Sequence, residues 1–147
     1  MQPVGKVSFS DAYRAVCEYR QRYPEKAVVY YAQNYPEQAW AILMAGGSGA
    51  GVKIADAILR KQLPTMHVEG TADREDAKVL QSDNAALVYG LTDGSLQLTN
   101  LTPGTYLLNE IDRQSGQPLG KPQRISVKSG TCTLTIAPNR ICWVRRK

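Results

Sequence analysis

The sequence predicts an α+β chain: a short helix-strand-helix-helix segment, then an antiparallel β-sandwich of six or seven strands. Two observations predict it. Up to Pro64 apolar residues recur at helical intervals, and beyond it they alternate with polar ones in short runs rich in Thr, Val and Tyr. Those runs are separated by turn formers: Asp83-Asn84, Asp93-Gly94, Pro103-Gly104, Ser115-Gly116, Ser129-Gly130 and Pro138-Asn139. With 147 residues, 43% hydrophobic and 21% charged, the chain suits one ordinary domain or two small units and can bury a core. Wholesale disorder is excluded.

Ser8 or Ser10 is placed to cap a first helix whose apolar stripe reads Phe9, Tyr13, Val16, Cys17 and Tyr23, and Pro24 stops it. Residues 27–32, Ala-Val-Val-Tyr-Tyr-Ala, are a nearly continuous apolar run, as expected of a strand buried on both faces. Pro36 is a favoured first helical residue, and residues 37–45 read as a short apolar helix ended by Gly46-Gly47. After a small-residue loop over 48–51, residues 52–62 set Ile54, Ile58 and Leu59 on one helical face opposite Arg60 and Lys61. Residues 67–77, with Glu69, Asp73, Glu75 and Asp76, read as a connection between a 1–66 helical segment and a 78–147 sandwich. The candidate strands are 78–82, 85–91, 96–99, 105–112, 123–127, 131–136 and 141–145. If residues 131–136 and 140–145 form a hairpin turning at Pro138-Asn139, it opposes Ile136 to Ile141 and Leu134 to Trp143 and leaves Cys132 beyond disulfide reach of Cys142. Trp143, between Cys142 and Val144, is expected in the sandwich core.

The formal charge of +5 is unevenly spread: residues 121–147 carry seven basic side chains and no acidic one, leaving a slight acidic excess elsewhere. Because these charges are interleaved with strand-like apolar residues, they are read as a solvated face and tail, with no nucleic-acid partner expected. Cys17, Cys132 and Cys142 are odd in number and lack zinc or redox spacing, so buried free thiols are expected. His67, the single histidine, has no nucleophile or carboxylate at a recognisable spacing and reads as an exposed or packing residue. No window approaches the roughly 20 apolar residues that cross a bilayer, and the first residues lack a signal-peptide pattern. No membrane partner is expected.

Gly46-Gly47-Ser48-Gly49-Ala50-Gly51 has the small residues of a phosphate cradle but follows a helix and lacks a Gly-Lys-Ser/Thr ending. A helix terminator beside a tight packing contact is the reading preferred, and no cofactor or metal is expected. Among the carboxylates only Glu37 lies beside a strand end, and glycosidic chemistry needs two. Tyr30, Tyr31, Tyr35 and Trp40 cluster among apolar residues, where core packing is the default.

The run Tyr35-Pro36-Glu37-Gln38-Ala39-Trp40-Ala41-Ile42-Leu43-Met44-Ala45-Gly46-Gly47-Ser48, preceded by Arg22-Tyr23-Pro24 and the apolar run, resembles the closing unit of a (β/α)8 barrel in bacterial glycoside hydrolases. The downstream half resembles the small C-terminal β-sandwich appended to such barrels, of the type called collagen-binding. Ala86-Leu87-Val88-Tyr89, Leu101-Thr102-Pro103-Gly104-Thr105-Tyr106, Ile111-Asp112-Arg113-Gln114-Ser115-Gly116 and Ile141-Cys142-Trp143-Val144 carry that likeness.

The resemblance implies the C-terminal or accessory part of a carbohydrate-active protein, exported to the periplasm or beyond and not catalytic alone. A whole barrel takes roughly 200–250 residues. Only the last unit precedes the sandwich, so an excised fragment, a truncated frame or a stand-alone protein is expected. The strand at 27–32 then needs a neighbour, from the sandwich, a second copy or a missing barrel segment. Since barrel sites sit at the C-terminal ends of strands, the resemblance implies Gln33, Asn34, Tyr35 and Glu37 as sugar contacts. Two alternatives stand beside it: a sandwich module binding a protein or polymer, and a small glycosidase using Glu37 with a second carboxylate not identified.

Overall fold

A computed structural model describes residues 8–28, 36–47, 51–70 and 74–147. The chain divides into two compact units, Met1–Lys53 and Ile54–Lys147. The strand expected at 27–32 lies mostly outside the described residues; Ala27 and Val28, which are described, are not in a strand.

In the first unit, helix α1 (Phe9–Arg22) starts at Ser8, whose Oγ accepts the Asp11 amide at 3.2 Å. Its buried face is Phe9, Ala12, Tyr13 and Val16, the i, i+3, i+4, i+7 set of an amphipathic helix. Tyr23, expected on that stripe, is instead 42% exposed. The helix ends at Arg22, and the φ of −130° at the cap residue Tyr23 swings its ring off the apolar face. Helix α2 (Pro36–Met44) is buried from Gln38 onward, with Trp40 in the core. Its end is a Schellman motif: Gly46 N–H donates to Leu43 O, Gly47 N–H donates to Ile42 O at 2.8 Å, and Gly46 takes φ +84°. A Cβ on Gly47 would meet Ile42 Cγ2 at 2.8 Å and Val16 Cγ1 at 3.4 Å. Gly46-Gly47 is thus a helix terminator at a tight α1–α2 contact.

In the second unit, helix α3 (Ala57–Gln62) is shorter than the 52–62 expected from the apolar pattern. Asp56 takes extended backbone and caps Ile58 and Leu59 through Oδ1, so the helix cannot propagate back to residue 52. Only Leu59 is buried from the predicted face; Ile58 is 45% exposed. A 3-10 turn, Leu63–Thr65, leads into the strands.

Eight strands follow: β1 (His67–Glu69), β2 (Ala77–Gln81), β3 (Ala85–Gly90), β4 (Gly94–Leu98), β5 (Gly104–Ile111), β6 (Pro118–Val127), β7 (Cys132–Ile136) and β8 (Ile141–Arg146). They make a six-stranded sheet, β1-β2-β3-β8-β5-β6, and a two-stranded sheet, β4-β7, with every pairing antiparallel. The α+β class with a sandwich-like β arrangement is as predicted. The run read as a connection opens with β1, paired to β2. Strand β6 starts five residues earlier than expected: its Pro118, Gly120 and Pro122 are tolerated because it is an edge strand, with a register shift opposite Leu108 and Glu110.

The hairpin considered for 131–136 and 140–145 does not form. Strand β7 pairs β4 in one sheet, and β8 lies between β3 and β5 in the other. The turn chemistry explains the crossing. Arg140 N–H closes on Ala137 O with Pro138 at the first central position and Asn139 at φ +62°, a type II pattern that splays strands instead of pairing them. The turn is pinned to β3: Gly90 N–H donates to Arg140 O, Asn139 N–H donates to Gly90 O, and the Tyr89 hydroxyl donates to Asn139 Oδ1 at 2.9 Å. A Cβ at position 90 would fall 2.2 Å from Ala137 O, so glycine is required there.

The core between the sheets contains Val79, Val88, Tyr106, Cys142 and Val144 from one and Leu96, Leu98, Leu134 and Ile136 from the other. Trp143 is outside that cluster. Period-two alternation puts it on the opposite face of the sheet, in register with Leu87 and Asn109 and 1% exposed. None of the three cysteines forms a disulfide; Cys132 and Cys142 are buried as expected, whereas Cys17, on the flank of α1, is half-buried. Cys132 lies on β7 of the smaller sheet, in register with Leu98, whereas Cys142 lies on β8 of the larger sheet, in register with Val88 and Glu110.

Candidate functional site

The described part of the first unit forms a cleft of about 390 Å³ where the end of α1, the turn after it and the end of α2 converge. Arg20 reaches from α1 and donates to the Gly46 carbonyl, one of the acceptors a helix end leaves open. Pro24 stops the helix, and Glu25 and Lys26 follow on the turn, which is closed by Lys26 N–H to Tyr23 O at 3.1 Å. On the same segment, the Tyr19 and Tyr23 rings meet with centroids 5.0 Å apart, and the Lys26 ammonium sits 5.6 Å from the Tyr23 ring centroid.

This arrangement offers cations, one carboxylate and the backbone of a helix end. It can hydrogen-bond hydroxyl or carboxylate groups. Among the described residues lining it Glu25 is the one carboxylate, whereas glycosidic bond cleavage generally uses two. The cleft was not anticipated from sequence, yet a signal existed: Tyr19 and Tyr23 stand four apart, and basic residues flank the Pro24 stop.

Of the sugar contacts expected from sequence, Gln33, Asn34 and Tyr35 lie outside the described residues. Glu37 sits half-buried in the first turn of α2, where a carboxylate favours the helix dipole, and does not line the cleft. His67 is exposed on β1.

In the second unit three carboxylates, Asp76, Asp112 and Glu110, are held in local ties. Arg74 lies 2.6 Å from Asp76 and holds its carboxyl below the usual range, helped by the Ala77 amide. In the β5–β6 loop the Ser115 side chain, and after it the Ser115 amide at 3.0 Å, hydrogen-bond the Asp112 carboxylate and likewise lower its pKa. Glu110 pairs with Arg140 at 3.7 Å. Among the described residues no group of three or more His, Cys, Asp or Glu side chains is placed to hold a metal ion, and no helix is long and apolar enough to span a membrane.

A family model described as a domain of unknown function, DUF6298, matches residues 1–66, less than half of the chain. No curated protein sequence matches. Among solved structures, the chain is similar over 100% of its length to one titled "Glycoside hydrolase", with a TM-score of 0.59 and 12% identity, covering 48% of that chain. It is similar over 98% of its length to a glycoside hydrolase family 5 structure from Bacteroides vulgatus ATCC 8482, with a TM-score of 0.52 and 15% identity, covering 46% of that chain. The chain thus spans about half the length of these structures, and at this identity the likeness is one of fold.

Proposed function

We propose that this chain is a carbohydrate-related, accessory part of a glycoside-hydrolase-like protein and is not catalytic alone. The observation that carries the reading is that the structural likeness to a glycoside hydrolase runs through the entire chain, helical unit and β unit alike. The sequence resemblance to a closing barrel unit plus appended sandwich points the same way. In this reading Gln33, Asn34, Tyr35 and Glu37 contact sugar, with Asn34 bonding a hydroxyl and Tyr35 stacking on a pyranose face.

Glycan-array binding of the purified chain tests it. Binding to a defined oligosaccharide class is expected, weakened up to about tenfold by Tyr35→Ala, the scale of one lost ring contact. Absence of binding to every glycan would overturn the reading. Turnover of aryl-glycosides by the chain, abolished by Glu37→Gln, would overturn its non-catalytic part and select the small-glycosidase alternative.

A further inference from the structure

Residues 121–147 carry seven basic side chains and no acidic one, and strand register sorts them between the two faces of the larger sheet. Leu107 on β5 is opposite Arg145 on β8 and Arg124 on β6, so the two arginines flank it in one row on one face. Their Cα atoms are two strand spacings apart, roughly 10 Å, a span over which two long guanidinium side chains can grip one acidic ligand. The next row on that face is Thr105 opposite Ser126, with the Lys147 amide donating to Thr105 O at 2.9 Å. Arg124, Thr105, Ser126 and Lys147 are exposed, and Leu107 and Arg145 are partly so. Glu110, the one acidic residue of β5, β6 and β8, alternates to the opposite face, where it meets Arg140. Among the described residues no ion pair or side-chain hydrogen bond reaches Arg124, Arg145 or Lys147. The Arg145 guanidinium lies 5.4 Å over the Trp143 ring, and its Nε is buried without a hydrogen-bond partner. A partly desolvated cation with unused donors gains most from an anion.

We infer that this face of β8, β5 and β6 binds a carboxylate-bearing polysaccharide. Arg124 and Arg145 take the uronate carboxylates, Thr105 and Ser126 take sugar hydroxyls, and Leu107 between the arginines is an apolar floor for a ring. The inference rests on the carbohydrate-related reading above and adds to it a class of sugar and a site in the second unit. Cations and hydroxyls side by side match a ligand that carries carboxylates and hydroxyls together, which an acidic peptide does not. Nucleic acid fits less well, because the aromatic rings on this face, Tyr89 and Trp143, are 0% and 1% exposed and cannot stack on bases.

Titration calorimetry of the full chain with an oligogalacturonate, its methyl ester, an oligoglutamate and an oligothymidylate tests the site. The oligogalacturonate should bind roughly tenfold or more tightly than its neutral ester, and added salt should weaken it. Arg124→Gln should weaken that binding roughly tenfold, the scale of one lost charge-assisted contact. Arg146→Gln removes the same charge from the opposite face of β8 and should leave binding within about twofold of wild type. Both variants change exposed side chains, and equal thermal unfolding confirms their folds. Equal binding of the ester, equal loss in the two variants, indifference to Arg124→Gln, or tighter binding of the oligoglutamate or oligothymidylate overturns the inference. Binding of neutral glycans that depends on Tyr35, with none of the oligogalacturonate, overturns this inference and leaves the carbohydrate reading standing. Absence of binding to every glycan overturns both.

Discussion

Tyr106 holds the start of β5 to the loop before it. Its hydroxyl donates to Thr102 O at 2.6 Å from within Leu101-Thr102-Pro103-Gly104-Thr105-Tyr106, the arrangement of a tyrosine corner, and burial raises the phenol's pKa. Tyr106→Phe keeps the ring in the core and deletes this bond. Urea unfolding should show a loss of about 1–2 kcal/mol with an unchanged m-value. The spacing was visible in the sequence; that the hydroxyl closes on its own loop was not, because the bond depends on the path of the chain through Pro103-Gly104. Tyr13 makes the opposite point. Its place on the helix face was legible from periodicity, but the depth of burial that drives its phenol well above the ordinary range depends on what packs over it.

Among the elements, the caps decide lengths that apolar patterns overestimate. Ser8 ends α1 where the sequence suggests, and Ser8→Ala should cost about 1 kcal/mol, read as a lowered unfolding midpoint. The pattern over 52–62 misleads because Asp56 competes for the same amides that would extend the helix. The strands show the same division. Alternation located β2 to β5, β7 and β8 to within about two residues, whereas partner choice failed at Pro138-Asn139. A proline at the first central position forces φ negative there, and the primed turns of tight hairpins need it positive. That clue was present in the sequence, and it outweighs the proximity of two strand-like runs.

For the whole molecule, the buried thiols report cooperative opening. Burial raises the pKa of Cys132 and of Cys142, so at pH 8 each holds less thiolate than a free cysteine, and both are shielded by the core. Iodoacetamide should leave both unmodified in the native chain and label them together in strong denaturant, as peptide mass mapping would show. Labelling of Cys142 without Cys132 under native conditions would mean that the sheet opens locally at β8. The basic end of the chain is likewise resolved by the fold. Arg140 pairs with Glu110, Arg145 lies over the Trp143 ring at 5.4 Å, and Lys121 and Arg124 line an exposed edge, so one run of charge serves several local roles. The order of helices before strands, most strand positions and the α2 terminator followed from periodicity and turn chemistry, which act over a few neighbouring residues and are written in the chain. Strand partners, the face on which Trp143 is buried and the assignment of Cys132 and Cys142 to different sheets depend on residues far apart in sequence. They came into view with the packed fold, because pairing and burial are set by which distant surfaces meet.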